Sequence, residues 1–233
     1  MGEPLSGVFV TGTGTEVGKT VVAAALARTL AAAGRRVAVF KPAVTGLEEA
    51  GEADHELLRR ASGSAQSDEE IAPYRYRPPV SPHLAAALAG EEIEPARLLA
   101  SARAAAADGD TLVCEGVGGL MVPLVRRVSD AMHQKLASAY LIRDLAADLG
   151  LPLAIAASPG LGTINHTLLT IAAARAAGLE VAAVVLTPWP AAPSEIERSN
   201  RETIAALGEV AVQTLPALDL ADPESWPPLS WRR

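Results

Sequence analysis

The fold is decided by residues 7–20, which read GVFVTGTGTEVGKT. Residues 7–11 form an apolar run that predicts a buried strand. Residues 19–33 are rich in alanine and are followed by Gly34, so they predict a helix with a glycine at its C-terminal end. The glycine-rich loop between them can point backbone amides at an anion, and the helix N-terminus favours the same negative charge. The stretch therefore indicates a loop that binds phosphate.

The end of this loop carries the side chains that a nucleoside triphosphate needs. Lys19 can reach the β- and γ-phosphates, and the Thr20 hydroxyl can ligate Mg²⁺. The strict motif places its first glycine at position 13, where this chain has Thr13, and Gly12 comes one residue early. The strand before and the helix after it favour a phosphate loop over a chance glycine-rich turn. A dinucleotide fingerprint is the weaker alternative, because Lys-Thr and a later acidic strand end suit a triphosphate with a metal.

Apolar strands and helices alternate along the rest of the chain. The pattern predicts strands at residues 37–40, 111–114, 152–157, 181–186 and 210–214, and helices at 55–61, 84–88, 95–107, 139–149, 162–177 and 194–207. Strands without polar alternation, separated by helices, indicate an α/β fold with a mostly parallel sheet covered by helices on both faces. We find no internal repeat and no long linker, so we expect residues 1–233 to form a single phosphate-loop NTPase domain.

Composition indicates which kinds of binding partner and which cellular compartment to expect. The net charge of -7 argues against binding to nucleic acid or to a membrane surface, because proteins bind both through basic patches. The chain has one cysteine, Cys114, which favours a reducing compartment because it cannot form an intrachain disulfide. We see neither a signal-peptide pattern nor a long apolar run free of charges, glycine and proline. We therefore expect a soluble, cytoplasmic protein that acts on small molecules.

A carboxylate follows the apolar run at residues 111–114. The carboxyl ends of parallel strands share one edge of a sheet, so Glu115 is expected on the same edge as the phosphate loop, where it can bind Mg²⁺ directly or through water. Small residues at 116–119 then allow a ligand to approach the backbone closely. A turn or helix-capping glutamate is the alternative. Asp54 lies in a polar stretch where a solvated helix start is the simplest interpretation.

Five motifs, taken in order, resemble those of the dethiobiotin synthetases. They are residues 12–20, Lys41-Pro42, Ser81-Pro82-His83, Glu115-Gly116-Val117-Gly118-Gly119 and Gly162-Thr163-Ile164-Asn165-His166. Each motif alone occurs in other phosphate-loop proteins, whereas the full set is specific. The resemblance implies an ATP- and Mg²⁺-dependent ligase of biotin biosynthesis. Such an enzyme carboxylates 7,8-diaminononanoate with CO₂ and closes the ureido ring of dethiobiotin through a carbamate and a carbamic-phosphate intermediate.

The resemblance also implies a set of site residues and an assembly. Lys41, with Lys19 and Thr15, would form the catalytic group, and Thr20, Asp54 and Glu115 would ligate Mg²⁺. Substrate contacts would come from Thr15, Lys41, Thr45, Gly118, Gly119 and Asn165. Nucleotide contacts would come from Glu16, Val17, Gly18, Lys19, Thr20, Val21, Glu115, Gly116, Val117, Gly118, Thr187, Pro188, Pro216, Ala217 and Leu218. In the family the residue matching Asn165 reaches across a dimer interface, which implies a homodimer with shared active sites.

One departure from the family and two related classes of protein leave alternatives open. Many family members have an asparagine that reads the adenine edge where this chain has Thr187-Pro188, so CTP or another nucleoside triphosphate is an alternative to ATP. A nucleotide-switched partitioning or scaffold ATPase of related fold is the alternative function, although those proteins usually carry a second lysine at the position of Gly14. An amide-forming synthetase acting on a cobalamin precursor would need an added glutaminase domain with a cysteine nucleophile.

Overall fold

A six-stranded parallel sheet forms the centre of the computed structural model, which describes residues 5–48, 51–126 and 139–231. The strands are β1 (Gly7–Gly12), β2 (Val37–Phe40), β3 (Thr111–Gly119), β4 (Pro123–Arg126), β5 (Ala139–Leu141), β6 (Leu153–Ala157), β7 (Val181–Trp189) and β8 (Ala211–Pro216). The strand order in the sheet is β2-β3-β1-β6-β7-β8, and a separate antiparallel pair is formed by β4 and β5. The predicted parallel α/β sheet is confirmed.

Helices cover both faces of the sheet. They are α1 (Lys19–Ala32), α2 (Asp54–Ser62), α3 (Asp68–Ile71), α4 (Pro82–Leu88), α5 (Pro95–Ala107), α6 (Ile142–Leu149), α7 (Thr163–Ala176) and α8 (Glu195–Gly208). Alternate residues of β6 point to opposite faces: Ala154 packs in the core under α1 and α2, and Ile155 packs under α7 and α8. Every residue of β6 is buried, which explains why the strand lacks polar alternation.

β1 lies between β3 and β6, and this places the phosphate loop at the middle of the sheet's C-terminal edge. β2 pairs with β3 so that Phe40 lies opposite Cys114, and the next residues are Lys41, which follows β2, and Glu115, which continues β3. The topology thus brings together three segments that are far apart in sequence. Among the described residues, no helix is long and apolar enough to cross a membrane.

Several element boundaries differ from those predicted. The predicted helix at 139–149 is wrong over its first three residues, which form β5 because they pair with β4, and α6 begins only at Ile142. β3 and β7 run beyond residues 114 and 186, and Trp189 at the end of β7 pairs with Pro216. The pattern also missed α3, whose start carries a capping box between Ser67 and Glu70 that could have revealed it.

Candidate active site

The phosphate loop closes on itself between β1 and α1. Gly18 precedes α1 with a φ of +84°, a left-handed conformation that favours glycine. The Lys19 ammonium donates a hydrogen bond to the Gly14 carbonyl at 2.7 Å, so the side chain folds back over the loop. Burial lowers the pKa of Lys19 from its ordinary value. The loop therefore holds a partly desolvated ammonium group beside backbone that can face an anion.

The early glycine of the loop has a steric reason. A Cβ atom at Gly12 would lie 2.7 Å from Val17 Cγ2 and 2.8 Å from Lys19 Cγ, so no side chain fits there. Thr13 occupies the position of the strict motif's glycine, and its amide donates to the carbonyl of Ala156 in β6 at 3.1 Å. Among the glycines of the loop, Gly12 is thus the one that lies closest to the loop's own side chains.

Four side chains from four segments converge beside the loop. Lys41 Nζ lies 2.5 Å from Glu115 Oε1 and 2.7 Å from Asp54 Oδ2. The Thr20 hydroxyl lies 3.0 Å from Asp54 Oδ1 and 2.9 Å from Glu115 Oε1. Thr20 comes from α1, Lys41 follows β2, Asp54 begins α2 and Glu115 lies in β3. Asp54 therefore faces this cluster, although its sequence surroundings suggested only a solvated helix start.

Burial makes the charges of this cluster interdependent. Glu115 is fully buried, and Lys41 is only 3% exposed. Burial acts to lower the pKa of Lys41, but the attraction of Glu115 and Asp54 outweighs it and raises that pKa above its ordinary value. Burial raises the pKa of Glu115, and the attraction of Lys41 offsets this only in part, whereas at Asp54 burial is outweighed by Lys41 and the pKa is lowered. Lys41 thus stays protonated as the counter-ion of the pair.

The donor atoms of the cluster fit a magnesium ion. Glu115 Oε2 is buried and has no hydrogen-bond partner among the described residues. Thr20 has a single hydroxyl hydrogen, so it can donate to only one of the two carboxylates at a time. Two carboxylates and a hydroxyl are hard oxygen ligands of the kind that Mg²⁺ prefers, and substrate phosphates and water usually complete its octahedron. Thr20, Asp54 and Glu115 are therefore suited to hold Mg²⁺ beside a bound triphosphate.

A cavity of about 790 Å³ opens beside these side chains. Its lining includes most residues expected in the catalytic centre and part of the expected nucleotide set. Those residues are Thr15, Glu16, Gly18, Lys19, Thr20, Val21, Lys41, Thr45, Asp54, Glu115, Val117 and Gly118. The sequence analysis did not assign Ala43, Pro79, Val80 and Val122, which add an apolar wall. Ser81 and Pro82 also line the cavity, and they belong to a motif to which no role was given.

Other expected site residues lie outside this cavity. Asn165 is exposed in the first turn of α7. Thr187, Pro188 and residues 216–218 lie where β7 and β8 end. Thr187 is buried against the phosphate loop, since a Cβ atom at Gly18 would lie 2.6 Å from its methyl carbon.

The remaining three expected residues, like those just described, do not line the cavity. A Cβ atom at Gly116 would meet Phe9 and Ile142, so this glycine faces the core. Val17 packs over Gly12, and a Cβ atom at Gly119 would approach the Gly12 carbonyl. These residues therefore support the phosphate loop and the end of β3 on the side away from the cavity.

Known proteins resemble this chain over most of its length. Residues 6–225 match a family model described as an AAA domain. The chain is 43% identical over 212 residues to the ATP-dependent dethiobiotin synthetase of Anaeromyxobacter sp. (strain K), covering 87% of this chain and 90% of that one. The chain belongs to the ATP-dependent dethiobiotin synthetase family. The synthetase of Bacillus cereus (strain B4264) is 39% identical over 209 residues, covering 89% of this chain and 81% of the relative.

A solved structure outside this family has a similar fold. The signal recognition particle 54 kDa protein from Aeropyrum pernix K1, solved in complex with GDP, superposes with a TM-score of 0.50 and 13% sequence identity. The match covers 93% of this chain and 43% of the other. At this identity the similarity shows the fold alone.

Proposed function

We propose that this dethiobiotin synthetase converts 7,8-diaminononanoate, CO₂ and ATP into dethiobiotin, ADP and phosphate in a Mg²⁺-dependent reaction. The observation that carries the proposal is the position of Lys41. Its ammonium is buried between Asp54 and Glu115, and a single strand, β3, separates its own strand β2 from β1 and the phosphate loop. A buried cation beside a phosphate-binding loop suits a reaction in which negative charge spreads over a carbamate and a transferring phosphoryl group.

The chemistry divides among the residues of the cavity. One amine of the substrate adds to CO₂ and loses a proton to give a carbamate, and Lys41 and Thr15 orient this anion. The carbamate oxygen attacks the γ-phosphorus and ADP leaves, while Lys19 neutralises charge on the phosphates. The second amine then attacks the carbonyl carbon and loses a proton, phosphate leaves with the C–O bond electrons, and the five-membered cyclic urea closes. When bound to Thr20, Asp54 and Glu115, Mg²⁺ supplies further positive charge at the phosphates.

The lining of the cavity matches two parts of the substrate. Charged and hydroxyl groups of Lys41, Thr15 and Thr45 suit the vicinal amines and the carbamate. The apolar wall of Pro79, Val80 and Val122 suits a hydrocarbon chain. This arrangement supports an aliphatic diamino acid as the second substrate.

The proposal includes a homodimer whose active sites draw on both chains. Asn165 is exposed and does not line the cavity of its own chain. Leu161 and Leu169 beside it are 95% and 61% exposed, so this surface carries large apolar side chains that a second copy would cover. Asn165 and the first amides of α7 would bind the carboxylate end of the substrate held by the partner chain. A cytoplasmic location, favoured by the single cysteine, is part of the same proposal.

The test is a product assay with diaminononanoate, bicarbonate and Mg²⁺, with each of the four nucleoside triphosphates in turn. We expect dethiobiotin, detected by mass spectrometry, and nucleotide hydrolysis that depends on diaminononanoate. The matched control is Lys41→Ala, which should lose about a hundredfold or more of the turnover, because it removes a charge-stabilising contact. ATP hydrolysis at full rate without diaminononanoate, with no dethiobiotin formed, would instead identify a nucleotide-switched ATPase.

A further inference from the structure

A buried side chain of α8 holds the loop that precedes α7. Asn200 is 7% exposed, and its Nδ2 donates hydrogen bonds to the carbonyls of Pro159 and Gly160 at 2.9 and 3.1 Å. Carbonyl oxygens only accept hydrogen bonds, so the amide nitrogen and not the amide oxygen must face them. Both hydrogens of the amide group are therefore used on two consecutive residues of one loop, about forty positions away in sequence.

The loop has little packing of its own. Pro159 and Gly160 are half-buried, Gly162 is exposed, and Leu161 is 95% exposed. The Gly160 carbonyl also accepts a hydrogen bond from the amide of Thr163, the first residue of α7, at 3.3 Å. The Asn200 amide group and the start of α7 thus share one carbonyl, so the position of α7's first turn depends on where Asn200 holds the loop.

We propose that Asn200 is a positioning residue for the diamino acid, acting through the loop at residues 159–162 and the first turn of α7. This inference rests on the proposed function, in which Asn165 and the amides of that turn bind the substrate carboxylate. Asn200 itself does not line the cavity and has no contact with the reacting atoms. Replacing Asn200 should affect the binding of the diamino acid alone. The phosphate loop and the Lys41 cluster belong to other segments, so nucleotide binding and the chemical step should be unaffected.

The decisive variant is Asn200→Asp, which keeps the size of the side chain but replaces the donor group by a carboxylate oxygen. It should raise the KM for diaminononanoate about tenfold and leave kcat and the ATP KM within about twofold, since a small displacement of a positioning group weakens only the contacts it sets. Asn200→Ala should behave similarly. Hydrogen exchange should become faster in a peptide covering residues 158–166 and stay unchanged in β6, a readout that requires no turnover.

The control for a merely structural role is Ile204→Val, which loosens the buried contact of α8 with α7 without touching the loop. If Asn200→Asp and Ile204→Val lower the Tm to the same extent and change kcat and both KM values in the same way, Asn200 only supports packing and the inference is overturned. It is also overturned if Asn200→Asp leaves both the diaminononanoate KM and the loop exchange unchanged while Asn165→Ala raises that KM. In that case the proposed function stands. If Asn165→Ala has no effect either, α7 does not bind the substrate, and that part of the proposed function fails together with the inference.

Discussion

The charged groups beside the phosphate loop balance one another before any ligand binds. Lys19 and Lys41 are positive, and Asp54 and Glu115 are negative. Lys41 already neutralises the two carboxylates to which a magnesium ion would bind, so the ion and the ammonium compete for the same negative charge. A divalent ion alone would leave an excess of positive charge in a buried site. We therefore expect Mg²⁺ to bind well only when a triphosphate arrives with it.

This competition predicts an unusual response of Lys41→Met to magnesium. The variant leaves Asp54 and Glu115 without their counter-ion, which should lower the free energy of unfolding by about 3 kcal/mol or more. Millimolar Mg²⁺ without nucleotide should then raise its Tm by several degrees, because the ion binds only the folded site. The wild-type Tm should hardly respond. The measurement is a thermal melt with and without Mg²⁺.

Lys19→Met is the matched control for this prediction. Lys19 donates to the Gly14 carbonyl and not to a carboxylate, so its loss should lower nucleotide binding without creating a vacant cation position. Mg²⁺ alone should leave the Tm of this variant unchanged. A Lys41→Met protein as stable as the wild type, and equally indifferent to Mg²⁺, would contradict the competition.

Nucleotide binding by the phosphate loop should respond differently to the replacement of two of its glycines. Gly12→Ala puts a Cβ atom 2.7 Å from Val17 Cγ2 and 2.8 Å from Lys19 Cγ, which must displace the lysine stem. We expect the ATP KM to rise about tenfold or more, the usual scale of an overpacked contact. Gly14→Ala is the control, because its Cβ atom would meet Val17 Cγ1 at an ordinary 3.9 Å. Equal effects of the two changes on the ATP KM would show that steric closure at Gly12 is not what shapes the loop.

The ends of β7 and β8 predict loose selectivity for the nucleotide base. Thr187 is buried against Gly18, and Pro188 has no amide hydrogen to donate, so this segment lacks the paired donor and acceptor of an asparagine. A site without such a pair cannot strongly reject the wrong base. We expect ATP and at least one other triphosphate to differ by less than about tenfold in kcat/KM. A preference for ATP above about a hundredfold over CTP, GTP and UTP would show that residues 216–218 read adenine instead.

For the whole molecule, the sequence predicts the sheet and the edge that carries the site. Apolar strands and breaker residues give the alternation, and the phosphate loop identifies the edge at which Glu115 must lie. Thr20, Lys41 and Glu115, which come from recognisable motifs, converge as this topology requires, whereas Asn165 from the last motif does not line the cavity. Features set by tertiary contacts alone could not be predicted. The short strand Ala139–Leu141 depends on pairing with β4, and the apolar wall of Pro79 and Val80 lies in a proline-rich loop without periodicity.

Asn200 illustrates the same limit. A single polar residue on an amphipathic helix has no pattern that distinguishes a buried anchor from a solvated position. Only the packing of α8 against the loop before α7 shows that its amide group is used. Long-range contacts of single side chains therefore have to be read from the structure.

The assembly itself can be tested by mixing two variants that are each impaired at a different residue of the site. Asn165→Ala should raise the diaminononanoate KM more than the ATP KM, because Asn165 is proposed to contact the substrate carboxylate and no phosphate. Lys41→Ala should abolish most of the turnover at the site to which its own chain contributes residue 41. If each site takes Lys41 from one chain and Asn165 from the other, a mixed dimer carries both changes in one site and neither change in the other. Random exchange of equal amounts makes half of the dimers mixed, so about a quarter of all sites become intact.

We therefore expect the mixture, assayed at a diaminononanoate concentration where both parents are nearly inactive, to recover about a quarter of the wild-type rate. Native mass spectrometry of the mixture supplies the control, since it shows whether chains have exchanged. A monomer, or a dimer whose sites are each built from one chain, would give only the mean of the two parental rates. That result, with exchange demonstrated, would remove Asn165 from the partner's site and leave the exposed surface of Leu161 and Leu169 without the function proposed for it.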